Sequence, residues 1–255
     1  MSPMTFWESV LVLLAGVFAG GINVVVGSGT LVTFPVLLAV GYPPIVANVS
    51  NTLGLIPGSI TGAIGYRAEL ADQGDRLLRF GAASLLGGVL GAVLLLKLPA
   101  AAFEGIVPAL IVVALVLVVL QPRLSRALAA RRTTTAPAHG GPLLWFGVFL
   151  TGVYGGYFGA AQGIILLGLM GILMTESLQR LNAVKNVLAA LVNAVSGIIF
   201  VVVADVAWLP VLLIAVGSTV GGFIGAKVGR RLSPTLLRGI IVVVGLAAIA
   251  KIVLG

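Results

Sequence analysis

Amide, hydroxyl and amine side chains stand inside otherwise apolar stretches of this sequence. Asn182, Lys185 and Asn186 lie together in the second half of the chain, and Asn48 and Thr52 occupy a similar place in the first half. The paired residues are four positions apart in each half, so each pair shares one helix face. An ammonium group inside a membrane segment is costly unless it is paired or hydrated, which makes Lys185 a candidate functional residue. Because no acidic residue is found at matching depth, donors and one cation favour a small oxyanion as the ligand, over a metal or an organic cation.

Two glycine-rich motifs interrupt apolar runs and point to the same chemistry. GGINVVVGSGTLVTFP spans residues 20 to 35, and GVYGGYFGAAQG spans residues 152 to 163. Glycine allows a helix to break, and a helix that restarts at Thr30 or near Gly163 directs unpaired N–H groups and its positive dipole end toward the interior. Two such ends that converge form an anion site. The predicted substrate-binding residues are therefore Gly29, Thr30, Asn48, Thr52, Gln162, Gly163, Asn182, Lys185 and Asn186.

These features also have purely structural interpretations. Lys185 lies near Arg180 in the sequence, so its ammonium could extend to the membrane interface instead of lining a site. The glycines could serve only close helix packing. We favour packing for the related motifs GGVLGA (87 to 92) and GGFIGA (221 to 226), and a binding site for the two breaks, which carry flanking polar residues.

The composition defines the class of protein. The 255 residues are 60% hydrophobic and 9% charged, with a mean hydropathy of +1.21. Apolar stretches of helical span length recur along the chain, which predicts an all-α polytopic membrane protein. The net charge of +8 lies in short loops and indicates orientation, not nucleic acid binding. With no cysteine, one histidine (His139) in a polar loop and no paired carboxylates or buried nucleophile, the sequence predicts no metal site, no cofactor and no catalytic residues.

The two halves of the chain form an internal sequence repeat. A shift of 134 residues aligns GGVLGA with GGFIGA and Asn48 with Asn182, and a shift of 132 aligns Gly20 with Gly152 and Gly27 with Gly159. The segment between the halves is basic and rich in Thr, Pro and Gly, as linkers are. The predicted organisation is a first membrane repeat (1–120), a basic cytoplasmic linker (121–142) and a second membrane repeat (143–255).

The distribution of basic residues predicts that the two repeats are inverted. If the chain turns back between residues 27 and 29, twelve Lys and Arg residues fall on one side and two on the other, leaving Lys185 aside. Basic residues stay cytoplasmic, so this hairpin is preferred and both termini are extracytoplasmic. Each half then has a broken or re-entrant helical hairpin plus three spanning helices, and the odd number of crossings inverts the second half. The second arm, TLVTFPVLLAVG, is long enough only for a half-helix, whether it re-enters or belongs to a broken span.

The ordered motifs resemble a known family. GGINVVVGSGTLVTFP followed by ANVSNT, and GVYGGYFGAAQG followed by LNAVKN, are similar to the paired signature of the sulfite exporter TauE/SafE family of transporters. The resemblance covers almost the whole chain and implies an inner-membrane permease for sulfite, sulfonates or related sulfur-containing anions, powered by an ion gradient of H⁺ or Na⁺. Family members often carry an acidic residue where this chain has Asn23 and Gly155.

Two functional hypotheses follow. The first is an alternating-access transporter that binds the anion near the midplane between the repeats, and the second is an anion or small-solute channel that uses the same half-helix ends without coupling. The expected partners are the small anionic substrate and the lipid bilayer. The remaining glycine-rich faces also allow a homodimer.

Overall fold

The computed structural model describes residues 4–130, 140–228, 239 and 241–246. Every regular element within these residues is a helix, and they contain no strand. A short 3₁₀ helix, Arg67–Leu70, follows the third α-helix. The α-helices are α1 (Phe6–Val25), α2 (Thr30–Ala39), α3 (Pro44–Gly65), α4 (Gly74–Lys97), α5 (Ala100–Ala130), α6 (Gly141–Tyr157), α7 (Gln162–Leu173), α8 (Leu178–Val203) and α9 (Trp208–Val228).

Five of the described helices, α1, α4, α5, α8 and α9, are long and apolar enough to cross a membrane. Two others are short and equally apolar: α2 has 10 residues and α7 has 12. At 1.5 Å per residue these short helices reach only about half of the roughly 30 Å hydrocarbon core. The all-helical, multi-pass prediction is confirmed at this level.

The first break is a helical hairpin. Gly27 has φ +87°, a left-handed conformation that favours glycine, and α2 begins at Thr30. The arm α2 folds back along α1, since a Cβ atom at Gly29 would lie 2.6 Å from the Ala19 carbonyl oxygen. Burial first, and then the negative charge of Glu8 on α1, raise the pKa of Tyr42, which lies beyond the end of α2. The predicted break is present where the glycines indicated it.

The second break repeats the first. Gly159 has φ +77° and Ala161 has φ +62°, and α7 begins at Gln162, one residue before the predicted Gly163. The outer ends of α6 and α7 are close, because a Cβ atom at Gly140 would lie 3.1 Å from Met174 Cγ. The chain thus contains two hairpins of unequal arms, α1–α2 and α6–α7.

Helices of each half pack against helices of the other half. The first helix of each half packs along the fourth helix of the other, α1 along α9 and α6 along α4. The helix that follows each hairpin joins the same contact, α3 with α9 and α8 with α4. The GGxxGA glycines make this approach possible, since a Cβ atom at Gly91 or Gly221 would lie within 2.1 Å of a carbonyl oxygen of α6 or α1. The packing interpretation of these two motifs agrees with this geometry.

The segment between the repeats begins as helix. Helix α5 continues to Ala130, and α6 starts at Gly141, so both ends of the predicted linker 121–142 belong to helices. Residues 131–139, which include His139, lie outside the described residues, as do several of the basic residues used to predict the orientation.

One polar cluster ties the halves together away from the breaks. Glu176, between α7 and α8, accepts from Arg76 of α4 at 3.1 Å and from Arg180 of α8 at 3.2 Å. Arg180 also donates to the Ala71 carbonyl at 3.1 Å. The connection between α3 and α4 is therefore held against the connection between α7 and α8, and we call Arg76, Glu176 and Arg180 the loop cluster.

Candidate functional site

The two glycine breaks touch each other inside the bundle. The Gly163 amide donates to the Gly27 carbonyl at 3.1 Å, which joins the start of α7 to the turn between α1 and α2. A Cβ atom on Gly27 would lie 2.5 Å from Gly163 Cα, and one on Gly163 would lie 2.6 Å from Gly27 Cα. Such distances exclude any side chain at either position, so the meeting point of the hairpins depends on both glycines.

Lys185 lies at this meeting point and is completely buried. Its Nζ donates to the carbonyl oxygens of Asn23 and Val24, each at 3.0 Å. Asn182 Nδ2, one turn earlier on α8, donates to the same Val24 oxygen at 3.2 Å. These carbonyls belong to the last turn of α1, where the helix offers them no further N–H partner. The lysine ammonium is therefore directed to the broken end of α1 and does not extend to an interface.

Asn48 caps the end of α6 in the same way that Asn182 caps the end of α1. Its Nδ2 donates at 2.9 Å to the carbonyl of Tyr157, the last residue of α6. Each half thus uses the first asparagine of its long helix to cap the broken helix of the other half. Thr52, one turn after Asn48, donates to the Asn48 carbonyl of its own helix at 2.9 Å.

Thr30, at the start of α2, is held by an asparagine outside the predicted set. Asn51 Nδ2 donates to Thr30 Oγ1 at 3.2 Å, and Thr33 donates to Asn51 Oδ1. Asn51 corresponds to Lys185 under the 134-residue shift, so the repeat itself contained the signal that could have singled it out.

A further polar group lies beside the first break. Ser59 Oγ accepts from Asn23 Nδ2 at 3.1 Å and from Asn193 Nδ2 at 3.4 Å, which joins α1, α3 and α8. Ser59 is buried, whereas both asparagines are partly exposed. Partly accessible amides in an apolar bundle provide a polar surface next to the meeting point of the hairpins. Asn23 entered the sequence analysis only as a departure from an acidic residue.

Several buried donors have no hydrogen-bond partner among the described residues. They are Ser28 Oγ in the first turn region, Gln162 Nε2 at the start of α7 and Asn186 Nδ2 on α8. The Gln162 side chain lies against Gly155, where a Cβ atom would be 2.5 Å from its amide. Unsatisfied buried donors cost on the order of 1–3 kcal/mol each, a cost that acceptor oxygens of a ligand would remove. Two buried acceptors, Asn48 Oδ1 and Asn182 Oδ1, are also without a partner.

The nine predicted residues fall into two groups. Gly163, Asn182 and Lys185 meet at the end of α1, and Asn186 lies near them, 3.5 Å from a Cβ atom placed on Gly62. Gly29, Thr30 and Gln162 lie at the restarts of α2 and α7, Asn48 binds the end of α6, and Thr52 donates to the Asn48 carbonyl of its own helix. The contact between Gly27 and Gly163 joins the groups, but the described hydrogen bonds do not gather all nine around one point.

The electrostatic character of the centre is positive. Of the seven acidic residues, none makes a salt bridge to Lys185, and Glu176 pairs with Arg76 and Arg180 in the loop cluster, away from the breaks. The described residues also contain no group of three His, Asp or Glu side chains suited to a metal ion. A separate apolar groove of about 330 Å³ between α5 and residues 242–246 has no polar lining and does not belong to this centre.

Comparison with known proteins gives one family and several relatives. The family model described as sulfite exporter TauE/SafE matches residues 12–252. The chain is 28% identical over 247 residues to the probable membrane transporter protein YfcA of Escherichia coli K12, covering 95% of this chain and 88% of that protein. It is 25% identical over 246 residues to a probable membrane transporter protein of Haemophilus influenzae, covering 95% and 93%. No solved structure gives a significant match.

Proposed function

Because the chain belongs to the TauE/SafE sulfite exporter family, we propose that it is a secondary transporter for a small sulfur-containing anion such as sulfite or an organosulfonate. The chain is a multi-pass helical membrane protein of a transporter family. The names of the relatives also agree with a role that is not enzymatic.

The observation that carries the proposal is the fully buried Lys185 where the two hairpins meet, without an acidic partner. Its Nζ has three N–H donors, and two of them bind the end of α1, which leaves one for a ligand. A positive charge and unused donors together favour an oxyanion, because each anion oxygen accepts several hydrogen bonds.

The proposed binding residues act in two ways. The N–H groups and side chains at the helix restarts, Gly29 with Thr30 and Gln162 with Gly163, offer donors at the positive ends of the α2 and α7 dipoles. Asn186, together with Asn48, Thr52 and Asn182 in the shell around it, orients the oxyanion, and Lys185 supplies the charge. Asn48 Nδ2 also holds the broken end of α6 by donating to the Tyr157 carbonyl, and the Thr52 hydroxyl donates to the Asn48 carbonyl of its own helix.

The proposed mechanism is alternating access between two inverted halves, residues 1–120 and 143–255. It is supported by the repeated hairpins and by the reciprocal exchange of helices, α1 onto α9 and α6 onto α4. In such transporters a midplane site between repeats opens to one side and then the other. We place the protein in the inner membrane with both termini extracytoplasmic, on the positive-inside rule, and an H⁺ or Na⁺ gradient drives the anion.

The test is uptake of radiolabelled sulfite by proteoliposomes, with and without imposed H⁺ and Na⁺ gradients. Saturable uptake that an ion gradient accelerates and that sulfonates compete with is the expected result. Flux that neither saturates nor responds to any gradient would replace the transporter with the channel alternative. Uptake of no sulfur-containing anion by folded protein would overturn the substrate class.

A further inference from the structure

The broken end of α1 carries an unusual pairing. Two carbonyl oxygens of its last turn, those of Asn23 and Val24, face a single ammonium at 3.0 Å each. The adjacent turn already satisfies Ile22, whose carbonyl accepts from Val26 at 2.7 Å and from Gly27 at 3.1 Å. A positive charge is thus bound to two carbonyls of this end that the backbone turn leaves to other groups, and the Val24 carbonyl also accepts from the Asn182 amide.

Carbonyl oxygens at the end of a half-helix are also a common site for a monovalent metal cation in transporters with broken helices. The partial negative charge of a helix C-terminus attracts a cation whether that cation is soluble or tethered. Lys185 reaches this end from α8, through a stem that passes Gly163, where a Cβ atom would lie 2.8 Å from Lys185 Cδ. The ammonium therefore occupies the place that chemistry assigns to a bound cation.

We propose that Lys185 is a built-in cation that replaces a soluble monovalent cation at the end of α1, so that this end needs no Na⁺ to hold its shape or to accept an anion beside it. Only the part of the inference that concerns a bound anion rests on the proposed transport function. Any Na⁺ or H⁺ that drives transport then acts elsewhere in the protein.

The first half provides an internal contrast. Asn51 stands at the position that corresponds to Lys185, and its neutral amide binds Thr30 and Thr33 of its own hairpin instead of the other half. The end of α6 is bound by the Asn48 amide alone among the described side chains. The tethered charge is therefore a feature of one hairpin and not a requirement of every break.

The experiment measures thermal unfolding of detergent-purified full-length protein in choline chloride, sodium chloride and ammonium chloride at equal ionic strength. Lys185→Ala removes the ammonium and leaves room for a small cation. Lys185→Gln keeps two N–H donors but removes the charge and most of that room. Lys97→Met, at the exposed end of α4, is the matched control for loss of a lysine.

We expect wild type and Lys97→Met to unfold at the same temperature in all three salts. Lys185→Ala should unfold on the order of 5 °C lower in choline and regain at least half of that loss in sodium or ammonium. Lys185→Gln should fold and should unfold at a lower temperature than wild type, and neither sodium nor ammonium should raise that temperature. This pattern is independent of which solute is transported, so a failed uptake assay leaves it unchanged.

Three results would overturn the inference. The first is a wild-type Tm that rises in sodium as much as that of Lys185→Ala, which means that a soluble cation already binds there. The second is a Lys185→Ala variant that neither sodium nor ammonium stabilises, or that cannot be obtained in folded form in any of the three salts. The third is Lys185→Gln with the wild-type Tm, since hydrogen bonds without charge would then suffice.

Discussion

Ser59 on α3 and Asn193 on α8 are hydrogen-bonded to each other, Nδ2 to Oγ at 3.4 Å, and they correspond under the 134-residue shift that relates the two halves. A contact between corresponding residues is expected where a pseudo-symmetry axis passes through a molecule. Asn23, whose counterpart is Gly155, joins this contact from α1 at 3.1 Å. The polar centre therefore lies where the halves face each other, which is also where an alternating-access transporter places its substrate.

Removing the shared acceptor should loosen this centre. Ser59→Ala leaves the amides of Asn23 and Asn193 without their common partner. Because both asparagines are partly exposed and solvent can replace the lost bonds, the cost should be modest, about 1 kcal/mol, or a Tm lower by a few degrees. Thermal unfolding measures it. Ser9→Ala, which loses only a bond to Thr5 of its own helix end, is the control and should leave the Tm unchanged.

The breaks were the most predictable part of the fold. Gly27 and Gly159 stand in apolar runs where a helix has no reason to stop, and the restart predicted at Thr30 is the observed one. The predicted 12-residue arm TLVTFPVLLAVG is helical over 10 residues, because Gly41 with φ +99° turns the chain after it. Periodicity and glycine placement act locally, and a sequence shows local effects directly.

The partners of the site residues were less predictable. Lys185 binds backbone carbonyls, and because every residue has a carbonyl, the sequence indicates the cation but not its partner. The GGxxGA motifs indicate a small-residue face without stating which helix covers it, and so the exchange of helices between the halves was not foreseen. Asn51 lies outside the predicted set, although the 134-residue shift aligns it with Lys185.

Substitution of Gly27 should separate backbone strain from steric exclusion. Gly27→Ala meets both a positive φ and the Gly163 backbone 2.5 Å away, whereas Gly41→Ala meets a positive φ with no atom within 4 Å. Strain alone costs about 1–2 kcal/mol, so Gly41→Ala should fold with a Tm a few degrees lower. Gly27→Ala should yield little folded protein in size-exclusion chromatography. Equal Tm values for the two variants would show that the hairpins can separate at little cost.

The two capping asparagines should contribute unequally to stability. Asn48→Ala leaves the Tyr157 carbonyl without its side-chain donor, and Asn182→Ala removes the amide from Val24. An unpaired buried carbonyl costs about 1–3 kcal/mol, so Asn48→Ala should lower the Tm by several degrees. Asn182→Ala should cost less, because Lys185 still binds the Val24 oxygen. Thermal unfolding of both variants checks the order, and the opposite order would contradict the assigned partners.

The loop cluster should make stability depend on pH in a defined direction. Burial raises the pKa of Glu176, but the Ser177 amide, Arg76 and Arg180 together outweigh it and hold that pKa below its ordinary value of 4.5. A carboxyl with a depressed pKa in the folded state stabilises the protein above the unfolded pKa, and this contribution is lost as the pH falls through the folded pKa. Wild type should therefore unfold at a higher temperature than Glu176→Gln at pH 7, and the difference should shrink below pH 4.5.

The comparison needs a second carboxyl variant, because many groups titrate over the same range. Glu104 on α5 is exposed, and Glu104→Gln should follow the wild-type curve of Tm against pH within about 1 °C. A Tm gap between wild type and Glu176→Gln that stays constant from pH 7 to pH 4 would mean that the packing of residue 176, and not its charge, holds the two connections together. Arg180→Gln tests the same contact from the cationic side, and it should reproduce part of the loss at pH 7, because Arg76 still pairs with Glu176 at 3.1 Å.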